Sequence, residues 1–273
     1  MNLKISISTI VLLLFVGCGT VQVEENNDDN SSSNITETIN DITNNNTSSI
    51  ETIVTPETVE NRTILEEPSK DYKAKFINEN NCNQILDKEF LVICYDYKLK
   101  VAKAVAYTLE GDLVNELNIK DRPYFYEEEL IDEPYRAKLN DYRGSGYDKG
   151  HMAPDAAFDW SQESLEATYS LANIIPQVPE VNQHMWVDVE AYARSKAVEL
   201  GEVDVVNVIK YDNNNPKYIG EDNVAVSVGY YKILFNEDES YEECFYYAND
   251  INSTRENDNL SKHKVDCNNI VTK

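Results

Sequence analysis

Basic residues are scarce in this 273-residue chain: 24 Lys and Arg stand against 49 Asp and Glu, a formal net charge of −25. That deficit excludes a protein that holds nucleic acid by bulk positive charge. Histidine is scarcer, at three residues, so imidazole chemistry has few places to reside. The five cysteines contain no Cys-x-x-Cys spacing, which argues against a thiolate-bound zinc site. Residues 10–16 form an apolar run well short of the roughly 20 residues that cross a bilayer. Phe, Tyr, Trp and Cys are all missing from residues 19–70, a stretch rich in Asn, Ser, Thr and acids. Such a composition cannot bury enough apolar surface to offset the entropy of ordering it.

These absences divide the chain into three parts. Lys4 followed by the short apolar run reads as the core of a signal peptide over residues 1–17. The sequence ending Leu14-Phe15-Val16-Gly17-Cys18 resembles a bacterial lipoprotein cleavage site, with Phe15 where Leu is more usual. The resemblance implies that Cys18 is lipidated and anchors an exported protein to a membrane. Gly19 offers no Asp-type retention signal, which favours the outer membrane or its periplasmic face. Residues 18–70 then form a flexible acidic tether, with eleven carboxylates against Arg62 and Lys70 in residues 19–70. Residues 71–273 are the folded domain and hold all 18 Tyr and both Trp. This domain remains acidic, with 38 acids against 21 bases.

Cys82, Cys94, Cys244 and Cys267 are an even set in an exported chain, so two disulfides are expected. Pairing Cys82 with Cys94 and Cys244 with Cys267 closes the shortest loops, but three connectivities remain open. Runs of β-branched and aromatic residues predict strands over 89–95, 101–109, 203–211 and 224–235, with a shorter one over 244–247. Met185, Val189, Tyr192, Ala193 and Lys196 recur at helical spacing, which predicts a helix over 182–200 of about five turns. Several strands, one prominent helix and no βαβ alternation make the class α+β.

His151 lies in Ser145-Gly146-Tyr147-Asp148-Lys149-Gly150-His151-Met152-Ala153-Pro154, displayed between glycines and a proline. By itself that is a weak signal. Downstream come Asn173-Ile174-Ile175-Pro176-Gln177 and then Asn182, Trp186, Glu190 and Arg194, each four residues apart. On a straight helix each such step advances about 40°, so the four share one flank. Amide, carboxylate and water oxygens suit a hard cation such as Mg²⁺, and a guanidinium beside them suits a phosphate. An imidazole able to take a proton from water completes a set for metal-assisted phosphodiester hydrolysis.

The stretch 142–194 resembles the core of the DNA/RNA non-specific endonucleases, the ββα-metal or His-Me finger family. The family's Asp-Arg-Gly-His is answered by Asp148-Lys149-Gly150-His151, and its Asn-Ile-x-Pro-Gln, Asn-Gln, Trp, Glu and Arg follow at the family's intervals. A weaker resemblance extends over 85–273. It implies a ββα-metal fold with a central antiparallel sheet and a metal-bearing helix, acting on DNA and RNA. It further implies His151 as general base, Asn182 as the protein ligand of Mg²⁺ (with Mn²⁺ as an alternative ion) and Glu190 as holder of the metal's waters. Asn173 would order the catalytic site, Arg194 and Arg122 would contact phosphate, and Asp148 would brace the loop. Lys149 replaces the commoner Arg; it keeps the charge at a phosphate-binding position but loses the bidentate fork. Arg136, Lys138, Arg143 and Lys149 add a short basic stretch ahead of His151. No role is assigned to His184 or His263. The rival readings are a non-catalytic acidic surface lipoprotein that binds a partner or cation with the same fold, and a phosphodiesterase for smaller nucleotides.

Overall fold

The computed structural model describes residues 71–116 and 118–270; the expected signal peptide, Cys18 and the tether lie outside them. Its strands are β1 (Gln84–Asp87), β2 (Val92–Asp96), β3 (Val101–Glu110), β4 (Asp148–His151), β5 (Ile174–Gln177), β6 (Glu202–Lys210), β7 (Lys217–Ile219), β8 (Val224–Val226), β9 (Gly229–Asn236), β10 (Tyr241–Ala248) and β11 (Lys264–Val265). Its α-helices are α1 (Tyr72–Phe76), α2 (Leu139–Tyr142), α3 (Gln162–Thr168) and α4 (Trp186–Leu200). Seven strands form one antiparallel sheet in the order β1-β2-β3-β6-β9-β10-β11, while β4 pairs with β5 and β7 with β8. The class is α+β, and β4, β5 and α4 supply the two-strand-and-helix unit.

The central strands read as nearly continuous apolar runs because both faces of the large sheet are covered. Alternation sends Tyr107 and Leu109 of β3, Val203, Val205 and Ile209 of β6, and Tyr230 and Leu234 of β9 to one face. There they pack with Trp186, Val189, Ala193 and Ala197 of α4. Ala104, Ala106, Val206, Val208 and Ile233 point the other way, against Tyr72 and Phe76 of α1 and Ile270. That second face also holds both disulfides, Cys82–Cys94 and Cys244–Cys267, with Cα atoms 5.0 and 5.4 Å apart. The two local pairings are the ones formed.

Two predicted elements change on folding. The strand expected over 224–235 breaks: β8 joins β7, and β9 starts afresh at Gly229 in the large sheet. A Cβ at Gly229 would lie 2.6 Å from the Tyr247 carbonyl oxygen, so the crossing between sheets needs glycine. The helix expected over 182–200 opens with a wide i→i+5 turn over Val181–Met185, and regular α4 begins at Trp186. It ends at Gly201, whose φ of 90° no other residue adopts readily. Among the described residues no helix is long and apolar enough to cross a membrane.

Candidate active site

The β4–β5 pair aligns His151 with Ile174 and Gly150 with Ile175. Alternation along β4 puts Lys149 and His151 on one side and Asp148 and Gly150 on the other. Gly150 is obligatory there, since a Cβ would lie 2.6 Å from Cβ of Gln177. The turn after His151 is clamped by Asn173, which is fully buried. Its Oδ1 accepts from the Ala153 N–H at 2.9 Å, and its Nδ2 donates to the Ala153 and Thr168 carbonyls, each at 2.9 Å. Its own carbonyl accepts from the Met152 N–H at 3.0 Å. All of these groups are committed to backbone, so Asn173 shapes the turn and does not face a substrate.

The His151 ring sits between two aromatic rings, 5.3 Å from Phe125 and 5.0 Å from Tyr169. The residue is half-buried, but its Nε2 is enclosed and has no hydrogen-bond partner among the described residues. Burial, helped by the Arg122 charge and opposed by Asp155, pulls its pKa down to about 4. His151 is therefore neutral at neutral pH, the form a general base requires. The Lys149 ammonium lies over the other end of this cluster, 5.2 Å from the Phe125 centroid.

Arg122 is more occupied than the sequence implies. Its Nε pairs with Asp155 at 3.2 Å, its Nη2 with Asp159 at 3.0 Å, and its Nη1 donates to the Ile119 carbonyl at 2.8 Å. Tyr169 donates to the same Asp155 carboxylate at 2.8 Å. Arg122 thus ties the 119–125 segment to the His151 neighbourhood before any phosphate arrives.

Asp148 joins β4 to the wide turn. Its Oδ2 accepts from Asn182 Nδ2 at 3.0 Å and from Gln183 Nε2 at 2.8 Å. A carboxylate only accepts, so the Asn182 amide must turn its NH₂ toward Asp148 and its Oδ1 away. That oxygen accepts no hydrogen bond among the described residues. It is a hard donor with its orientation already set.

The flank of four expected on one helix is kept from Trp186 onward, within regular α4, while Asn182 precedes it. Trp186 is 1% exposed and faces the sheet, edge-on to Tyr230 and Tyr247 with centroids 4.7 and 5.4 Å away. The wide turn before Trp186 offsets Asn182 from a straight α register. Glu190 and Arg194 remain half-buried. Burial pushes the Glu190 carboxyl up to about 7, with Lys232 and Arg194 opposing the shift and Asp155 adding to it. Arg194 makes no ion pair or hydrogen bond among the described residues, so its planar fork is free for a phosphate.

The sequence reading missed Lys232. It is fully buried beneath the site, with Nζ 3.0 Å from Tyr107 Oη and 4.4 Å from the Trp186 centroid. A lone Lys at an inward position of the apolar run 229–236 was the available signal. The other sequence features settle differently. Arg136 donates to the Ile131 and Glu129 carbonyls, and Lys138 pairs with Asp222, which leaves Arg143 and Lys149 from the basic stretch. His263 is held by Asp258 at 2.9 Å and stacked on Tyr247 at 3.7 Å, while His184 lies 4.0 Å from Glu180 on the surface.

The donor set can be tested against a metal. No group of three His, Cys, Asp or Glu among the described residues is placed to hold an ion. One oriented amide oxygen, with the half-buried Glu190 carboxyl further along the helix that follows it, suits a hard cation that keeps most of its water, as Mg²⁺ does. Together these groups offer a neutral base, a hard oxygen donor and a free guanidinium.

A family model described as DNA/RNA non-specific endonuclease matches residues 69–273. Human mitochondrial endonuclease G is 32% identical over 168 residues, covering 56% of this chain and 55% of that protein. Nuclease C1 of Cunninghamella echinulata var. echinulata is 29% identical over 178 residues, covering 61% and 71%. The chain spans about half the length of the human and bovine endonuclease G relatives it matches. A chain in the crystal structure of the EndoG/EndoGI complex superposes with a TM-score of 0.60 at 25% identity, covering 67% of this chain and 80% of that one.

Proposed function

The chain belongs to the DNA/RNA non-specific endonuclease family, and on that premise we propose that it is an exported, lipid-anchored endonuclease that hydrolyses phosphodiester bonds of DNA and RNA without sequence preference. The observation that carries this reading is the pairing of a neutral, unpartnered His151 with an Asn182 amide oriented by Asp148 from the same strand.

In this reading His151 takes the proton of the attacking water, and its low affinity for protons keeps it available as a base. Arg194 holds a non-bridging phosphate oxygen pair, and Lys149 adds a point charge beside the base. Asn182 would hold Mg²⁺, or Mn²⁺, through Oδ1, and Glu190 would accept hydrogen bonds from the ion's waters. An ion held there would supply positive charge at the scissile phosphate. Asn173 keeps the turn after His151 in place, and Arg122 with Asp155 and Asp159 supports the aromatic cage around the imidazole.

His151→Ala should abolish nicking of circular plasmid in Mg²⁺ while leaving the circular dichroism spectrum unchanged. A variant that cuts at the wild-type rate removes His151 from the mechanism, and activity that survives EDTA removes the metal. Retained cation binding with no cleavage of plasmid, RNA or dinucleotide would favour the non-catalytic lipoprotein instead. Two disulfides suit an oxidising compartment and so support export. Replacing Cys18 by Ser should release the protein from the membrane fraction.

A further inference from the structure

Tyr124 stands two residues beyond Arg122 and immediately before Phe125, whose ring packs on His151. It is 95% exposed, the most open of the large apolar side chains among the described residues. A tyrosine exposed on a loose loop would mean little. This one is carried on a backbone held at both ends. Arg122 is fixed by Asp155, Asp159 and the Ile119 carbonyl. Beyond it, the Tyr126 N–H donates to the Tyr169 carbonyl at 3.2 Å, and the Tyr126 carbonyl accepts from the Leu171 N–H at 2.8 Å. Between these anchors Pro123 restricts φ, and Phe125 packs against both His151 and Tyr169, with centroids 5.3 and 4.8 Å away. The Tyr124 ring is a bare plane on a set backbone, so little ordering entropy opposes a ligand that lies on it.

The 122–126 segment has two working sides. Phe125 closes the imidazole on one. Tyr124 and Tyr126 line a cleft of about 720 Å³ on the other, together with Phe90. That volume suits a small planar group. The polar lining excludes a phosphate backbone as the occupant. Glu89, Asp121, Glu163 and Glu166 share the cleft with Lys88 and Arg122, and both cations are already paired, Lys88 with Glu128 at 2.8 Å. Phosphates would meet an excess of carboxylate. A nucleobase would not, because it is uncharged, its π-face stacks on tyrosine, and its amino groups donate to carboxylates. The neighbouring reaction also brings bases to this place. Phe125 and Tyr124 are adjacent, about 3.8 Å apart along the main chain, so a strand with a phosphate at His151 carries a base past the cleft. A base paired in a duplex cannot enter it without leaving its partner.

We propose that Tyr124 and the cleft beside it form a subsite for an unpaired nucleobase next to the scissile phosphate, giving single strands an affinity contribution that a duplex lacks. The inference rests on the nuclease reading given above and adds to it a discrimination between strand forms.

The test reads binding rather than turnover and uses the full chain carrying His151→Ala. Fluorescence anisotropy follows its titration with a short single strand, with the same sequence as a duplex, and with an abasic strand of equal length. Adding Tyr124→Ala should weaken single-strand binding by about tenfold more than duplex binding. Tyr124→Phe keeps the π-face and should retain the single-strand affinity, whereas Tyr124→Leu should lose most of what Tyr124→Ala loses. On the abasic strand, which has a backbone but no bases, Tyr124→Ala should have little effect. Thermal melts of the variants check that this exposed ring is not needed for folding. Unchanged single-strand affinity in Tyr124→Ala, an equal loss on single strand and duplex, or an undiminished effect on the abasic strand overturns the proposal. If the His151→Ala protein binds nucleic acid but these results appear, only the base subsite falls. If it binds neither strand form and the wild type cuts neither plasmid nor RNA, the nuclease reading falls with it.

Discussion

His151 shows how packing sets the protonation of an imidazole. Phe125 and Tyr169 enclose the ring, and burial holds its pKa at about 4 against an ordinary 6.5. The depressed value has a stability consequence with a definite sign. Above pH 6.5 both the folded and unfolded chains leave the imidazole neutral, and its contribution is fully present. Between pH 6.5 and 4 the unfolded chain binds a proton that the folded one refuses, so stability falls as pH falls. His151→Gln removes this dependence. Urea melts at pH 7 and pH 4 should show wild type losing roughly 2–3 kcal/mol more than the variant over that interval. Parallel losses in both proteins would mean that His151 is not shielded from water.

At the scale of elements, the site depends on one bridge between a strand and a turn. Asp148 at the start of β4 receives both amides of the wide turn, Asn182 and Gln183. The Asn182 oxygen points away only while that carboxylate is present. Asp148→Ala frees the amide to flip, and Mn²⁺ affinity should fall by about tenfold even though Asp148 is not a ligand. Calorimetry checks this, and an Asp148→Ala protein with wild-type affinity would show that the amide is oriented by something else. The wide turn also takes Asn182 out of the straight helical register that Trp186, Glu190 and Arg194 keep within α4. Its first residues follow i→i+5 bonding, and Trp186 faces the sheet as a core residue. Local periodicity announced a helix correctly but could not announce a changed pitch in its first turn.

Over the whole molecule, chemistry and cross-linking occupy opposite faces of one sheet. α4 and the β4–β5 pair cover the first face, while α1 and both disulfides cover the second. Net charge acts at this scale too, since residues 71–273 carry 38 acids against 21 bases. Arg122, Arg136 and Lys138 are engaged within the fold, while Arg143, Lys149 and Arg194 have no ion-pair partner among the described residues and are the cations offered to phosphate. Three phosphate contacts imply a log affinity against log salt slope of about −3. Fluorescence anisotropy of His151→Ala with duplex DNA, from 50 to 200 mM NaCl as usual test limits, measures that slope. A value near −6 or steeper would require more phosphate contacts than these three cations supply.

Residue spacing by itself determined the α+β class, the strands over the long apolar runs and the main helix, while the segment presenting His151 reads as a loop and is strand β4. These are local properties: alternation, helical period and glycine placement need no knowledge of distant partners. It also brought Asn182, Glu190 and Arg194 into consideration together, and the family resemblance added Asp148. Tertiary structure alone decided which cysteines join, that Arg122 is held by Asp155 and Asp159, and that Trp186 turns inward. It alone placed Lys232 against Tyr107 and Trp186, because β9 and α4 are separated along the chain and meet only when the sheet is assembled. The reason is electrostatic as well as geometric. A charge in a strand is an anomaly in sequence, and only the neighbours it finds across the core show how it is accommodated.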